Sequence, residues 1–181
     1  MKTFLALLGM GLLALILQGA IARAISPPWC PDLAWLVVVA VGLRWTNVLS
    51  GICLAVILGY SMDLVSGSLM GQHALMRLLT FLAAALAARQ LDLSGFVAVL
   101  ILVFGMTLFY GVAIVGVLTF FVGSEGIGLP VLADAFCHGL ANVVAMGPVL
   151  SLVERLLMRL SDEEIGRRAP LTIGLHRGSV G

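Results

Sequence analysis

The stretch GYSMDLVSGSLMGQHALMR, residues 59–77, brings a carboxylate, an imidazole and a guanidinium close together in the chain as Asp63, His73 and Arg77. Groups of these types can form an ion pair, relay a proton or hold a polar ligand. A second set, Asp134, His138 and Asn142, recurs at four-residue spacing, which puts all three on one stripe of a helix. Both sets interrupt long apolar runs. An ionisable side chain inside a bilayer costs about 2.5–3.5 kcal/mol on insertion scales, so these residues are expected to turn inward and find partners. Asp63 and Arg77 are the natural pair by sign and by the short turn between their helices. Asp134 is placed to accept from His138 or from Arg77. Gly59, Gly67 and Gly71 fit the same picture, because glycine admits positive φ in a turn and close approach between helices.

Enzyme chemistry finds little footing. A membrane serine protease needs its nucleophile in a GxSG-like turn, and Ser66-Gly67 lacks the preceding glycine. A phosphotransferase needs several carboxylates gathered around a metal, and Asp63 stands alone in its stretch. Cys30, Cys53 and Cys137 are odd in number and far apart, which suits small apolar packing residues better than a disulfide framework or a zinc site. The three histidines lack metal-ligand spacing. No glycine-rich phosphate loop or GxSxG elbow occurs, and the few basic residues form no nucleic-acid patch. No cofactor or metal is expected. Two readings of the polar set remain. It lines a ligand site or proton path, or it is a polar clamp that fixes how the third, fourth and sixth helices pack. The clamp is the favoured reading.

The elements that must position these groups follow from composition. Of 181 residues, 61% are hydrophobic and 10% charged, against about a quarter charged in a soluble domain. The chain has too little polar surface to cover a water-facing globule, and each spanning helix needs roughly 20 residues. Apolar runs predict helices over 3–22, 33–43, 48–65, 72–88, 95–122 and 131–153, with a turn at 66–71 and a loop at 123–130. The first run is longer than the core of a secretory signal and is followed by five others, so an uncleaved helix is expected despite Ala22-Arg23-Ala24. The second run reaches only about 16 Å and needs Trp29, Asp32, Arg44 and Trp45 as interface anchors. Residues 1–153 then form a six-helix transmembrane domain of the all-α class, and 154–181 a cytoplasmic helix end and flexible tail. With the amino end inside, Lys2, Arg44, Arg89, Arg155, Arg159, Arg167, Arg168 and Arg177 all fall on the inner side, as the positive-inside rule requires. Both termini are therefore expected in the cytoplasm, and the polar groups, Gln18 included, toward the outer half.

The string GYSMDLVSGSLMGQHAL resembles the signature of the rod shape-determining protein MreD family, a pattern like G-x-x-x-D-x-x-S-G-x-x-x-G-x-[HN]-A after an apolar helix. The matching positions are Gly59, Asp63, Ser66, Gly67, Gly71, His73 and Ala74. Pro31-Asp32-Leu33 before the second helix, and Asn142 and Pro148 in the sixth, are also similar, so the likeness covers roughly residues 28–160. The tail running on to Gly181 departs from members that end soon after the sixth helix. The resemblance implies a multi-pass inner-membrane protein of bacterial cell elongation. It would bind MreC and, through it, serve the MreB filament, RodA and a class B penicillin-binding protein in peptidoglycan synthesis and cell shape. It also implies a fold similar to the S components of energy-coupling-factor transporters, which makes a vitamin-binding S component the alternative. Against that alternative, Glu125 and Trp29 offer little with which to hold a vitamin. The charged stretch 154–168 is a further candidate contact for filament proteins or anionic membrane lipids.

Overall fold

The computed structural model describes residues 1–25, 28–67, 69–91, 95–123 and 129–168. Six helices follow in order: α1 (Lys2–Ile21), α2 (Leu33–Arg44), α3 (Val48–Ser66), α4 (Gln72–Gln90), α5 (Phe96–Val122) and α6 (Leu129–Arg168). Their bounds fall within two residues of the hydropathy breaks, except that α6 continues unbroken past Val153 to Arg168. Asp92, Glu125 and the tail from 169 on lie outside the described residues.

Local chemistry sets the ends. Asp32 caps α2 by accepting from the Trp35 N–H at 2.8 Å, and Asn47 caps α3 by accepting from the Ser50 N–H at 3.1 Å. Gly67 and Gly123 close α3 and α5 in the left-handed conformation, with φ of 64° and 73°. Four helices, α1, α3, α5 and α6, are long and apolar enough to cross a membrane. The two others differ in kind. α2, with 12 residues, rises only about 18 Å; α4 has 19 residues but carries Gln72, His73, Arg77, Arg89 and Gln90 among its apolar ones.

The shortest helix is the core. Every residue of α2 from Ala34 to Leu43 is buried, and it packs against α1, α3, α4 and α6. Neighbouring pairs fix the directions. Asp32 meets Arg77, Trp35 meets Thr80 and Gly42 meets Phe81 and Ala84, so α2 and α4 run parallel. Asp32 meets Asn142 and Arg44 meets Glu154, so α2 and α6 also run parallel. On α3, Gly59 faces Ala74 and Gly51 faces Phe81, which makes α3 antiparallel to α4.

Two glycines make this packing possible. A Cβ on Gly59 would lie 2.4 Å from the Ala74 Cα, and one on Gly42 2.8 Å from the Ala84 Cβ and 3.0 Å from the Phe81 carbonyl oxygen. Neither backbone can move aside without opening the bundle. By contrast, Gly9, Gly105 and Gly116 have nothing within 4 Å of an added Cβ. Gly59→Ala is therefore expected to lower stability by about 1–3 kcal/mol or more through overpacking, whereas Gly105→Ala lowers it not at all. Denaturant unfolding of the two variants in detergent, followed by circular dichroism, checks this; equal stabilities would show that the α3–α4 contact is not as close as described.

Candidate functional site

At the end of the bundle where α2 begins, polar groups from all six helices converge. Their centre is Arg77, which is 0% exposed. One guanidinium nitrogen donates to both carboxylate oxygens of Asp32, at 3.1 and 3.3 Å. The other donates to the Leu58 carbonyl of α3 at 3.0 Å. Its Nε, like the buried Oε1 of Gln72 one turn earlier on α4, has no protein partner.

Asp32 does double duty. Its Oδ1 accepts from Arg77 and also caps the first turn of α2. Its own backbone N–H, which no helical carbonyl can satisfy at a helix start, donates to Asn142 Oδ1 of α6 at 2.9 Å. The Asn142 amide then donates to the Thr107 hydroxyl of α5 at 3.3 Å, and that hydroxyl donates to the Val103 carbonyl at 2.8 Å. Gln18 of α1 accepts from the Ala34 N–H at 3.4 Å. Trp35 donates its indole N–H to Thr80 at 3.1 Å and packs its ring 5.8 Å from that of Tyr110, whose hydroxyl lies 2.7 Å from His73 Nδ1.

The pairing expected between Asp63 and Arg77 is corrected by this geometry. Arg77 takes Asp32 as its ion-pair partner, because the start of α2 lies beside α4 at the level of the guanidinium. Asp63, fully buried near the end of α3, instead caps α4 from outside. It accepts from the backbone N–H groups of Gly71, His73 and Ala74 at 3.0, 2.9 and 3.3 Å. α4 has no side-chain cap of its own, since Gly71 holds its N-cap position at φ 90°. The carboxylate also sits where the helix dipole favours negative charge. Gly67 donates to the Asp63 carbonyl at 3.2 Å, so the turn from 66 to 71 is built around this one aspartate, with Ser66 exposed on it.

The sixth-helix stripe divides. Asn142 is buried in the network, whereas His138 Nδ1 lies 3.3 Å from the Pro28 carbonyl and can only donate to it. Asp134 is exposed, with no hydrogen-bond or ion-pair partner among the described residues, so it accepts from neither His138 nor Arg77. In the segment before α2, burial and then the Asp32 charge push the Cys30 thiol up, which keeps it a thiol at neutral pH. Sequence reasoning took Asp32 for an interface anchor and passed over Thr107 and Tyr110. The available signals were an aspartate immediately before an apolar helix and two hydrogen-bonding residues three apart in the longest apolar run.

Chemically the arrangement is a network of hydrogen bonds and one ion pair around a single cation, and it ties α2 to α3, α4, α5 and α6. Breaking a buried ion pair from one side costs about 3–5 kcal/mol, whereas losing a capping side chain costs about 0.5–2 kcal/mol. Asp32→Ala is thus expected to destabilise more than Asp63→Ala. In double-mutant cycles with Arg77→Met, Asp32 is expected to show the larger coupling; a larger Asp63 coupling would reverse the assignment. Comparison with protein-family models, with curated proteins and with solved structures finds no match to this chain.

Proposed function

We propose that the chain is a non-enzymatic, multi-pass scaffold of the bacterial inner membrane, acting in the cell-elongation complex as the likeness of GYSMDLVSGSLMGQHAL to the MreD family implies. On this reading all six helices cross the membrane with both termini in the cytoplasm, in a fold like that of transporter S components. The short α2 is accommodated because four helices enclose it, and α4 because protein covers its mid-helix charge, Arg77. MreC is the direct partner. The MreB filament, RodA and a class B penicillin-binding protein are reached through it, in support of peptidoglycan synthesis and cell shape.

The observation that carries the proposal is how the polar side chains are used. Asp32, Asp63, Arg77, Thr107 and Asn142 are all buried, and their polar groups are engaged by protein except at Arg77 Nε. Their hydrogen bonds run from helix to helix and lock α2 to α4, α5 and α6. A scaffold requires that property, since its partners must meet helix surfaces held in constant register. The runner-up, a vitamin-binding S component, would want such groups turned toward a ligand.

Depletion in a rod-shaped host is expected to round the cells and to stop directed wall synthesis; unchanged rods would overturn the proposal. At matched expression, Asp32→Ala is expected to lower MreC co-purification sharply, while Arg89→Gln at the far end of α4 leaves it unchanged. A stoichiometric vitamin found by mass spectrometry on the purified protein would favour the transporter instead. Reporter fusions at residue 46 and at the carboxyl terminus are expected to read cytoplasmic, and a fusion at residue 24 periplasmic.

A further inference from the structure

A groove follows the seam between α1 and α6. Toward the end where α1 begins, its walls are Ala6, Gly9 and Met10 on one side and Leu152 and Leu156 on the other, around a hollow of about 400 Å³. A second hollow of about 250 Å³ shares Met10, Leu13 and Leu152 with the first and continues it to Leu17 and Pro148. From residue 6 to residue 17, α1 rises about 16 Å, close to half of the roughly 30 Å hydrocarbon core, which is one leaflet.

Charge occurs at one end only. Arg155 and Arg159 line the first hollow one turn apart, and both are exposed. Neither has an ion-pair or hydrogen-bond partner among the described residues, whereas Arg44 is bound to Glu154 and Arg77 to Asp32. The remainder of the groove is lined by aliphatic side chains, Gly9 and Pro148. Gly9 keeps its floor low, since a Cβ there would meet nothing within 4 Å.

We infer that this groove binds one anionic glycerophospholipid, with its phosphodiester between the guanidinium groups of Arg155 and Arg159 and one acyl chain laid along α1 toward Leu17. Guanidinium groups suit phosphate because their forked donors match its oxygens. A free phosphate would leave the apolar length unused. A partner helix crossing both leaflets would overrun a groove that extends for one. The inference depends on the chain lying in a bilayer and not on the scaffold reading.

The full-length protein, exchanged into micelles holding equal amounts of phosphatidylglycerol and phosphatidylcholine with matched acyl chains, is examined by native mass spectrometry. One phosphatidylglycerol is expected to be retained in preference. Combining Arg155→Gln with Arg159→Gln is expected to cut that preference about twenty-five-fold, at about fivefold per guanidinium. Gly9→Leu fills the groove from a position with free space, so it is expected to lower retention of both lipids while the circular dichroism melt stays as in the parent. Equal retention of the two lipids by the parent protein would overturn the inference. So would an undiminished preference in the double variant, unchanged retention in Gly9→Leu, or equally strong binding of glycerol phosphate without chains.

Discussion

Arg77 carries a full positive charge to a place fully shielded by protein, and the surrounding helices are arranged to answer it. An unpaired buried guanidinium would cost several kcal/mol. The answer is drawn from groups that a helical bundle has to spare. The first turn of α2 has orphan N–H donors, which call for a carboxylate at Asp32, and that carboxylate keeps enough acceptor capacity for the arginine. The Leu58 carbonyl lies inside α3, yet a carbonyl oxygen has two lone pairs, so it can accept from Arg77 as well as from its own helix. Helix capping and charge neutralisation are here one interaction, so removing Asp32 would damage both.

That interaction constrains the geometry around it. For Asp32 to reach Arg77, α2 must begin beside the second turn of α4 and run parallel to it, and the Trp35–Thr80 and Gly42–Ala84 contacts continue the same register. Asn142 holds the Asp32 backbone from the opposite side and sets the level of α6. A helix of 12 residues is too short to cover a hydrocarbon core of about 30 Å by itself. Because α2 is enclosed by four neighbours, its residues from Ala34 to Leu43 meet protein on every side. The closeness of those neighbours depends on Gly42 and Gly59, where any side chain would strike backbone or a packed methyl group.

The ends of the helices were legible from the chain alone, because apolar runs are broken by capping and turn residues whose local chemistry needs no tertiary information. Asn47, Gly67 and Gly71 sit where their types predict. The partner of Arg77 was not legible. Sequence proximity favours Asp63, across one turn, whereas Asp32 is 45 positions away and becomes adjacent only when α2 packs along α4. The role of Asp63 was obscured for the opposite reason. A carboxylate facing a helix start is satisfied by backbone N–H groups, and these leave no trace in side-chain patterning. The His138 and Asp134 stripe illustrates the limit of periodicity: it predicts a shared face correctly but says nothing about which part of that face is covered.

The two ends of the bundle use charge in opposite ways. Where α2 begins, an acid and a base are withdrawn from the surroundings and spent on each other. Where α2 ends, Arg44 and Glu154 form a pair that is about one-third exposed on each side, and such a pair contributes about 0–1 kcal/mol. That contact can record the register of α2 against α6 but cannot enforce it. Enforcement must come from the opposite end, where low polarity strengthens every electrostatic contact. The bundle is thus held firmly at one end, and at the other Arg155 and Arg159 are unpaired among the described residues, so an anionic lipid that engages them leaves undisturbed the contacts that keep the helices in place.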